Sequence, residues 1–132
     1  MMLLLDTHVV LWLLTDGGRL GNRARELIAG GGTAYVSAAS LWEIAIKADL
    51  GKIRVPDALP SLITAAGLAW LPVSPQHAWQ SRQIAGLPQN RDPFDRLLIS
   101  QAVCESLTFL TADRVLLGCG IEPEVEIVDA RL

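Results

Sequence analysis

Nothing in this 132-residue chain approaches the run of about 18 apolar residues that a membrane-crossing helix needs, so no span is expected. The apolar opening Met1-Met2-Leu3-Leu4-Leu5 has no basic residue ahead of it and meets a charge at Asp6, so it does not read as a secretory leader. Cysteine is scarce. Cys104 and Cys119 are far apart and show no C-x-x-C spacing, which argues against zinc and a disulfide framework and favours reduced thiols in a cytoplasmic protein. There is no basic excess either. The net charge of −3 and the pI near 5.2 argue against a protein that grips phosphates by Lys and Arg alone. That exclusion lapses if clustered carboxylates hold metal, because two divalent ions would add roughly four positive charges where a phosphate sits. No linker, internal repeat or low-complexity segment interrupts the chain. What remains is 51% hydrophobic and 19% charged, the composition of a globular protein. Residues 1–132 are expected to form one domain, with some apolar surface left for a partner to cover.

Short apolar runs alternate with helical patterns along the whole length. Leu3-Leu4-Leu5 reads as a buried strand and Thr7 as the cap of a helix to about Thr15, broken by Asp16-Gly17-Gly18. Asn22 is expected to cap a helix over 23–29, ended by three glycines. A strand over 33–37 follows, with Ser37 placed to cap a helix over 38–50 that Gly51 ends. Asp57 would open a helix near 59–66, and a third strand is expected over 68–73. Ser74-Pro75 and Asp92-Pro93 are cap-then-proline pairs, opening helices to about Ala85 and Glu105. A strand over 107–111, a short helix over 113–117 and an edge strand over 125–128 complete the pattern. Strand–helix alternation predicts a three-layer α/β/α domain around a mainly parallel twisted sheet.

In such a sheet ligands bind beyond the carboxyl ends of the strands. Asp6 closes the first strand, and Asp113 follows the fourth. Glu43 and Asp95 stand on helices that start from the same edge. Each has an ordinary explanation: Asp6 and Asp113 as helix caps, Glu43 paired with Lys47 at i+4, and Asp95 as a first-turn acid favoured by the helix dipole. Their convergence on one edge is harder to explain that way. Clustered carboxylates repel one another, and a divalent cation removes the repulsion. Oxygen-only donors favour Mg²⁺ or Mn²⁺ over zinc, and such a site suits phosphoryl transfer.

The ordered blocks Leu4-Leu5-Asp6-Thr7-His8, Ser37-Ala38-Ala39-Ser40-Leu41-Trp42-Glu43-Ile44, Asp92-Pro93-Phe94-Asp95-Arg96-Leu97-Leu98-Ile99 and Leu110-Thr111-Ala112-Asp113 resemble the PIN-domain ribonucleases, most closely the VapC-type toxins of bacterial toxin–antitoxin pairs. The resemblance covers essentially the whole chain. It implies an endoribonuclease dependent on Mg²⁺ or Mn²⁺, an RNA substrate, a homodimer, and inhibition by a small antitoxin; the clustered carboxylates themselves lead us to expect a basic inhibitory segment in that antitoxin. It implies that Asp6, Glu43, Asp95 and Asp113 are the acidic metal and catalytic residues, supported by Thr111 and Thr7. Asp92 matches a commonly acidic position and also reads as a helix cap. Where close relatives often carry His, two residues before the first Asp of D-P-F-D, this chain has Asn90.

Several other residues carry open alternatives. Arg91 and Arg96 flank the acids and would either hold phosphate or, for Arg96, balance Asp92 at i+4. His8 reads as a packing or supporting histidine, and His77 as a surface residue at a helix start. Trp12 and Trp42 would line a groove for a partner helix or sit in the core, and Lys47, Lys52 and Arg54 form a solvated face or an RNA contact. Two other functions compete with the nuclease: an inactive PIN-fold binding module, and a metal-dependent phosphotransferase using Asp6. The complete acidic set argues against the first, and the lack of an acceptor-type D-x-D against the second.

Overall fold

A computed structural model describes residues 1–15, 17–88 and 91–132. Two positions used above, Asp16 as a helix breaker and Asn90 ahead of the D-P-F-D block, lie outside the described residues. Among the described residues no helix is long and apolar enough to cross a membrane.

Five strands form one all-parallel sheet: β1 (Leu3–Leu5), β2 (Ala34–Ser37), β3 (Ala69–Leu71), β4 (Thr108–Thr111) and β5 (Ile127–Asp129), in the order β3-β2-β1-β4-β5. Leu3 lies opposite both Ala34 and Thr108, so β1 is the centre of the sheet. The winding reverses between β1 and β4, and the crevice at that switch point opens beyond Leu5 and Thr111.

Successive strand side chains point to opposite faces, and the sequence fills both. Leu3 and Leu5 join a core with Val9, Val10, Val36, Ile44, Ile63 and Leu110. Leu4 joins the other, with Leu98, Ile99, Ala102, Phe109 and Leu116. The first face is covered by α1 (Thr7–Thr15), α2 (Asn22–Ala29), α3 (Ala38–Asp49) and α4 (Leu59–Ala65). The second is covered by α6 (Pro93–Glu105), which brings α5 (Pro75–Gln80) with it, and by α7 (Arg114–Gly118). The three-layer α/β/α expectation therefore holds, with every strand pair parallel.

Local chemistry sets most helix ends. The Ser37 hydroxyl accepts from Ala39 N at 3.0 Å, Asp92 Oδ1 from Phe94 N at 2.8 Å, and Ser74 Oγ from His77 N at 3.2 Å. Such caps contribute about 1 kcal/mol each. Gly51 ends α3 at φ +73°, a conformation that costs glycine little.

Three expected caps are replaced. Thr7 lies inside the first turn of α1, and the cap position falls to Asp6, whose carbonyl accepts from Val9 N and Val10 N. Asn22 is likewise inside α2, after Gly21. A Cβ at Gly21 would lie 2.0 Å from the Leu132 carbonyl carbon, so no side-chain cap fits there; the Leu132 carbonyl oxygen instead accepts from Ala24 N at 3.1 Å. Asp57 caps nothing, because α4 starts from Ala58 without a side-chain bond. The helix opened by Ser74 stops at Gln80 and tightens into a 3₁₀ turn over Ser81–Gln83.

Candidate active site

The four acids come together. Asp6, Glu43, Asp95 and Asp113 line one cleft of about 470 Å³, joined by Asp92, His8, Lys47 and Arg91. Asp6 stands where β1 gives way to α1 and is 5% exposed. Its Oδ1 accepts from Thr7 N at 2.7 Å, and its Oδ2 accepts from the Thr111 hydroxyl at 2.6 Å. Burial raises its pKa above the usual carboxylate range, and the two hydrogen bonds only partly offset this.

Glu43 lies on the buried side of α3. Its Oε1 accepts from the Thr7 hydroxyl at 2.7 Å, which also lies 3.0 Å from the Ser40 hydroxyl. Its Oε2 takes Lys47 Nζ at 2.8 Å, the i+4 pair expected from spacing. The pair faces the cleft rather than open solvent, so the ordinary reading of Glu43 and the functional one coincide.

Asp113 caps α7: its Oδ1 accepts from Val115 N and Leu116 N at 2.9 and 3.3 Å. The Thr111 hydroxyl accepts from Asp113 N at 3.1 Å while donating to Asp6, so one threonine fixes two of the acids. Asp95, in the first turn of α6, has its pKa pushed up to about 6, first by burial and next by the Asp6 charge.

Arg91 is the residue whose role the sequence did not disclose. Its Nε is ion-paired with Asp95 at 2.8 Å, and its Nη2 is paired with Asp113. Five carboxylates thus face two cations, Arg91 and Lys47, and the cleft keeps an excess of negative charge. The oxygen-only acids have the chemistry that Mg²⁺ or Mn²⁺ prefers. Their arrangement is not a finished ligand set, since among the described residues no three such groups stand ready to share an ion. Arg91 would have to release Asp95 and Asp113 for both to serve as ligands.

Two expectations about neighbouring residues fail. Arg96 neither lines the cleft nor balances Asp92; its guanidinium donates to the carbonyls of Ile84 at 2.7 Å and Ser81 at 3.3 Å, tying α6 to the end of the preceding 3₁₀ turn. His77 is 2% exposed rather than on the surface. Its Nδ1 accepts from Ser74 N at 3.0 Å, which leaves Nε2–H to meet Glu105 at 2.8 Å. His8 lines the cleft but is exposed, and Asp92 both caps α6 and lines it. The only advance notice of His77 was its place three residues after Ser74, the position that completes a capping box.

The model of the PIN domain family matches residues 3–117. A search of curated protein sequences finds no match. Three solved structures share the architecture. A chain of the DNA-bound VapBC2 structure from Rickettsia felis is 18% identical with a TM-score of 0.69, covering 98% of each chain. One from DNA-bound VapBC of Salmonella typhimurium is 19% identical with a TM-score of 0.67, again covering 98% of each. One from a toxin–antitoxin complex of Klebsiella pneumoniae is 15% identical with a TM-score of 0.60, covering 95% of this chain and 94% of the other. At these identities the likeness is one of fold.

Proposed function

The chain belongs to the PIN domain family, and from that premise we propose that it is a divalent-metal-dependent endoribonuclease, the toxin of a toxin–antitoxin pair. The observation that carries the reading is the convergence of Asp6, Glu43, Asp95 and Asp113 in one cleft at the switch point of the sheet. Those four side chains would hold Mg²⁺ or Mn²⁺. When bound, such an ion supplies acidification of water and neutralisation of phosphate charge. The rest is done by the chain. Thr111 and the Thr7 amide each hold one oxygen of Asp6 in place, and the Thr7 hydroxyl and Lys47 do the same for Glu43. Lys47 also sets a positive charge on the cleft wall that a phosphate oxygen would meet. No Ser, Cys or His nucleophile is required.

The toxin part of the reading is supported by fold-level neighbours that occur in VapBC and toxin–antitoxin complexes. Charge supports it too: a cleft with excess carboxylates suits a basic side chain from an inhibitor, which would take the place of the metal by pairing with two of them. The dimer that the resemblance implies is proposed on that basis alone, and light scattering reads it directly.

The test is cleavage of a generic single-stranded RNA by the purified chain. Cleavage should require Mg²⁺ or Mn²⁺, stop with EDTA and be lost in Asp95→Asn. Cleavage that survives EDTA sinks the mechanism. A chain that is harmless when expressed alone, or unaffected by the protein encoded beside it, sinks the toxin assignment.

A further inference from the structure

Helix α3 and its C-cap residue leave Trp42, Ile46 and Leu50 exposed at i, i+4 and i+8, with Trp42 63% and Leu50 62% exposed. Trp42 has an aromatic neighbour. It stands edge-to-face with Phe94 of α6, centroids 5.4 Å apart and planes at 72°. Phe94 of this pair also lines a cavity of about 370 Å³, together with Ile46, Leu50, Glu43, Asp92 and both lysines, Lys47 and Lys52. These are the only two lysines in the chain. The cavity shares Glu43, Lys47 and Asp92 with the acidic cleft, so the two are continuous. Lys47 is held by Glu43, whereas Lys52 is exposed and makes no ion pair among the described residues.

Proteins hold unpaired nucleotides by stacking a base on an exposed aromatic ring while a nearby cation meets the backbone. We propose that Trp42, backed by Phe94, and Lys52 form a subsite for one nucleotide of single-stranded RNA flanking the phosphate in the acidic cleft. The proposal rests on the nuclease reading above for its substrate class. A protein helix would equally cover Ile46 and Leu50, but it would give no reason for both lysines of the chain to line the cavity that Phe94 borders. Continuity with the cleft also favours a strand running from one into the other. Trp42 is thereby a positioning residue that sets where the RNA lies, not a participant in bond cleavage.

The test is binding of a short, fluorescently labelled, phosphorothioate-linked single-stranded RNA in Mg²⁺, read by anisotropy. Trp42→Ala should weaken binding about tenfold, and Trp42→Phe should recover most of the loss because a π face remains. Moving one abasic site along the RNA should find a position that weakens wild-type binding by the same factor and costs Trp42→Ala nothing further. Lys52→Gln should lower the slope of log affinity against log salt by about one. If Trp42→Ala binds RNA like wild type, or if its loss simply adds to every abasic loss, the subsite does not exist. If that variant keeps RNA affinity but loses its protein inhibitor, the face belongs to a protein partner and the proposal is overturned. Wild-type protein that binds RNA through Trp42 but cleaves none would leave the subsite standing and remove the nuclease reading. Cleavage and binding untouched by Trp42→Ala would do the reverse.

Discussion

The two halves of the acidic cleft are built differently. Asp6 and Glu43 sit on the β1–α1–α3 side, nearly buried, and each carboxylate oxygen already has a partner: Thr7 N and Thr111 for Asp6, Thr7 and Lys47 for Glu43. Those partners stand on strand ends and helix starts, which the hydrophobic core fixes. Asp95 and Asp113 sit on the α6–α7 side, more exposed, and what joins them is the single guanidinium of Arg91. One half is set by the fold, while the other is held by a cation that a bound metal ion would have to displace. The lesson is that a preformed carboxylate pair and a clamped one coexist in one site, and substitutions should separate them.

The fixed half should be the most sensitive. Asp6→Asn is expected to lower cleavage by on the order of a hundredfold or more, since losing a metal ligand should exceed the roughly 10–100-fold lost with its supporting groups. It should also raise the melting temperature in EDTA, because a buried carboxylate with a raised pKa gives way to a neutral amide. Unchanged cleavage would remove Asp6 from the site. Thr111→Val comes next. It deletes the hydroxyl that donates to Asp6 and accepts from Asp113 N, and a loss of about 10–100-fold in activity or metal affinity should follow, measured by titrating Mn²⁺.

On the clamped side, Arg91→Gln leaves Asp95 and Asp113 unneutralised. The metal-free protein should lose about 1 kcal/mol, a few degrees in melting temperature, given that the pair is partly exposed. Mn²⁺ should then stabilise this variant more than it stabilises wild type, because no cation competes for the carboxylates. An identical Mn²⁺ response in both proteins would show that Arg91 does not stand in the metal's way.

The same contrast explains how much was legible in the sequence. Strand runs, the Ser37, Ser74 and Asp92 caps, and the four acids could all be read, because each depends on neighbours within a few residues or on strand ends where α/β proteins place their sites. The role of Thr7 was read only in part. Its place between an apolar run and a helical pattern looks like a cap, but β1 delivers Asp6 to that position, and the Thr7 hydroxyl is spent on Ser40 and Glu43, more than thirty residues away. Arg91, Arg96 and His77 were misread or left open for one reason. Their partners Asp113, the Ile84 carbonyl and Glu105 lie 22, 12 and 28 residues away, beyond the reach of a local pattern, and only the i+4 pair of Arg91 with Asp95 is local.

The smallest expected effect is a pH dependence that sharpens the comparison. Folded, Asp95 titrates near 6, against 3.8 for an ordinary aspartate, driven by burial and by the charge of Asp6, with Arg91 pulling the other way. Above pH 6 the carboxyl is ionised in both folded and unfolded chains, and the folded state bears the full cost of its crowding. Between about pH 6 and 4 the folded protein takes up a proton that the unfolded chain does not, so stability should rise as pH falls through this window. Asp129, whose pKa its Arg131 partner lowers, stays ionised across that range and does not confuse the reading. In EDTA, wild type should therefore melt slightly higher at pH 5 than at pH 7.5, by a few degrees or less because Asp95 is part-exposed. Asp95→Asn should shrink the difference, leaving the part that Asp6, whose pKa burial also raises, contributes with the same sign. Mn²⁺ should reverse its sign, because protons compete with the metal for the same oxygens and metal stabilisation fades as pH falls. A metal-free melting temperature that drops steadily from pH 7.5 to 5 would mean that the Arg91 pair outweighs both burial and Asp6, and that the clamped half is as settled as the fixed one.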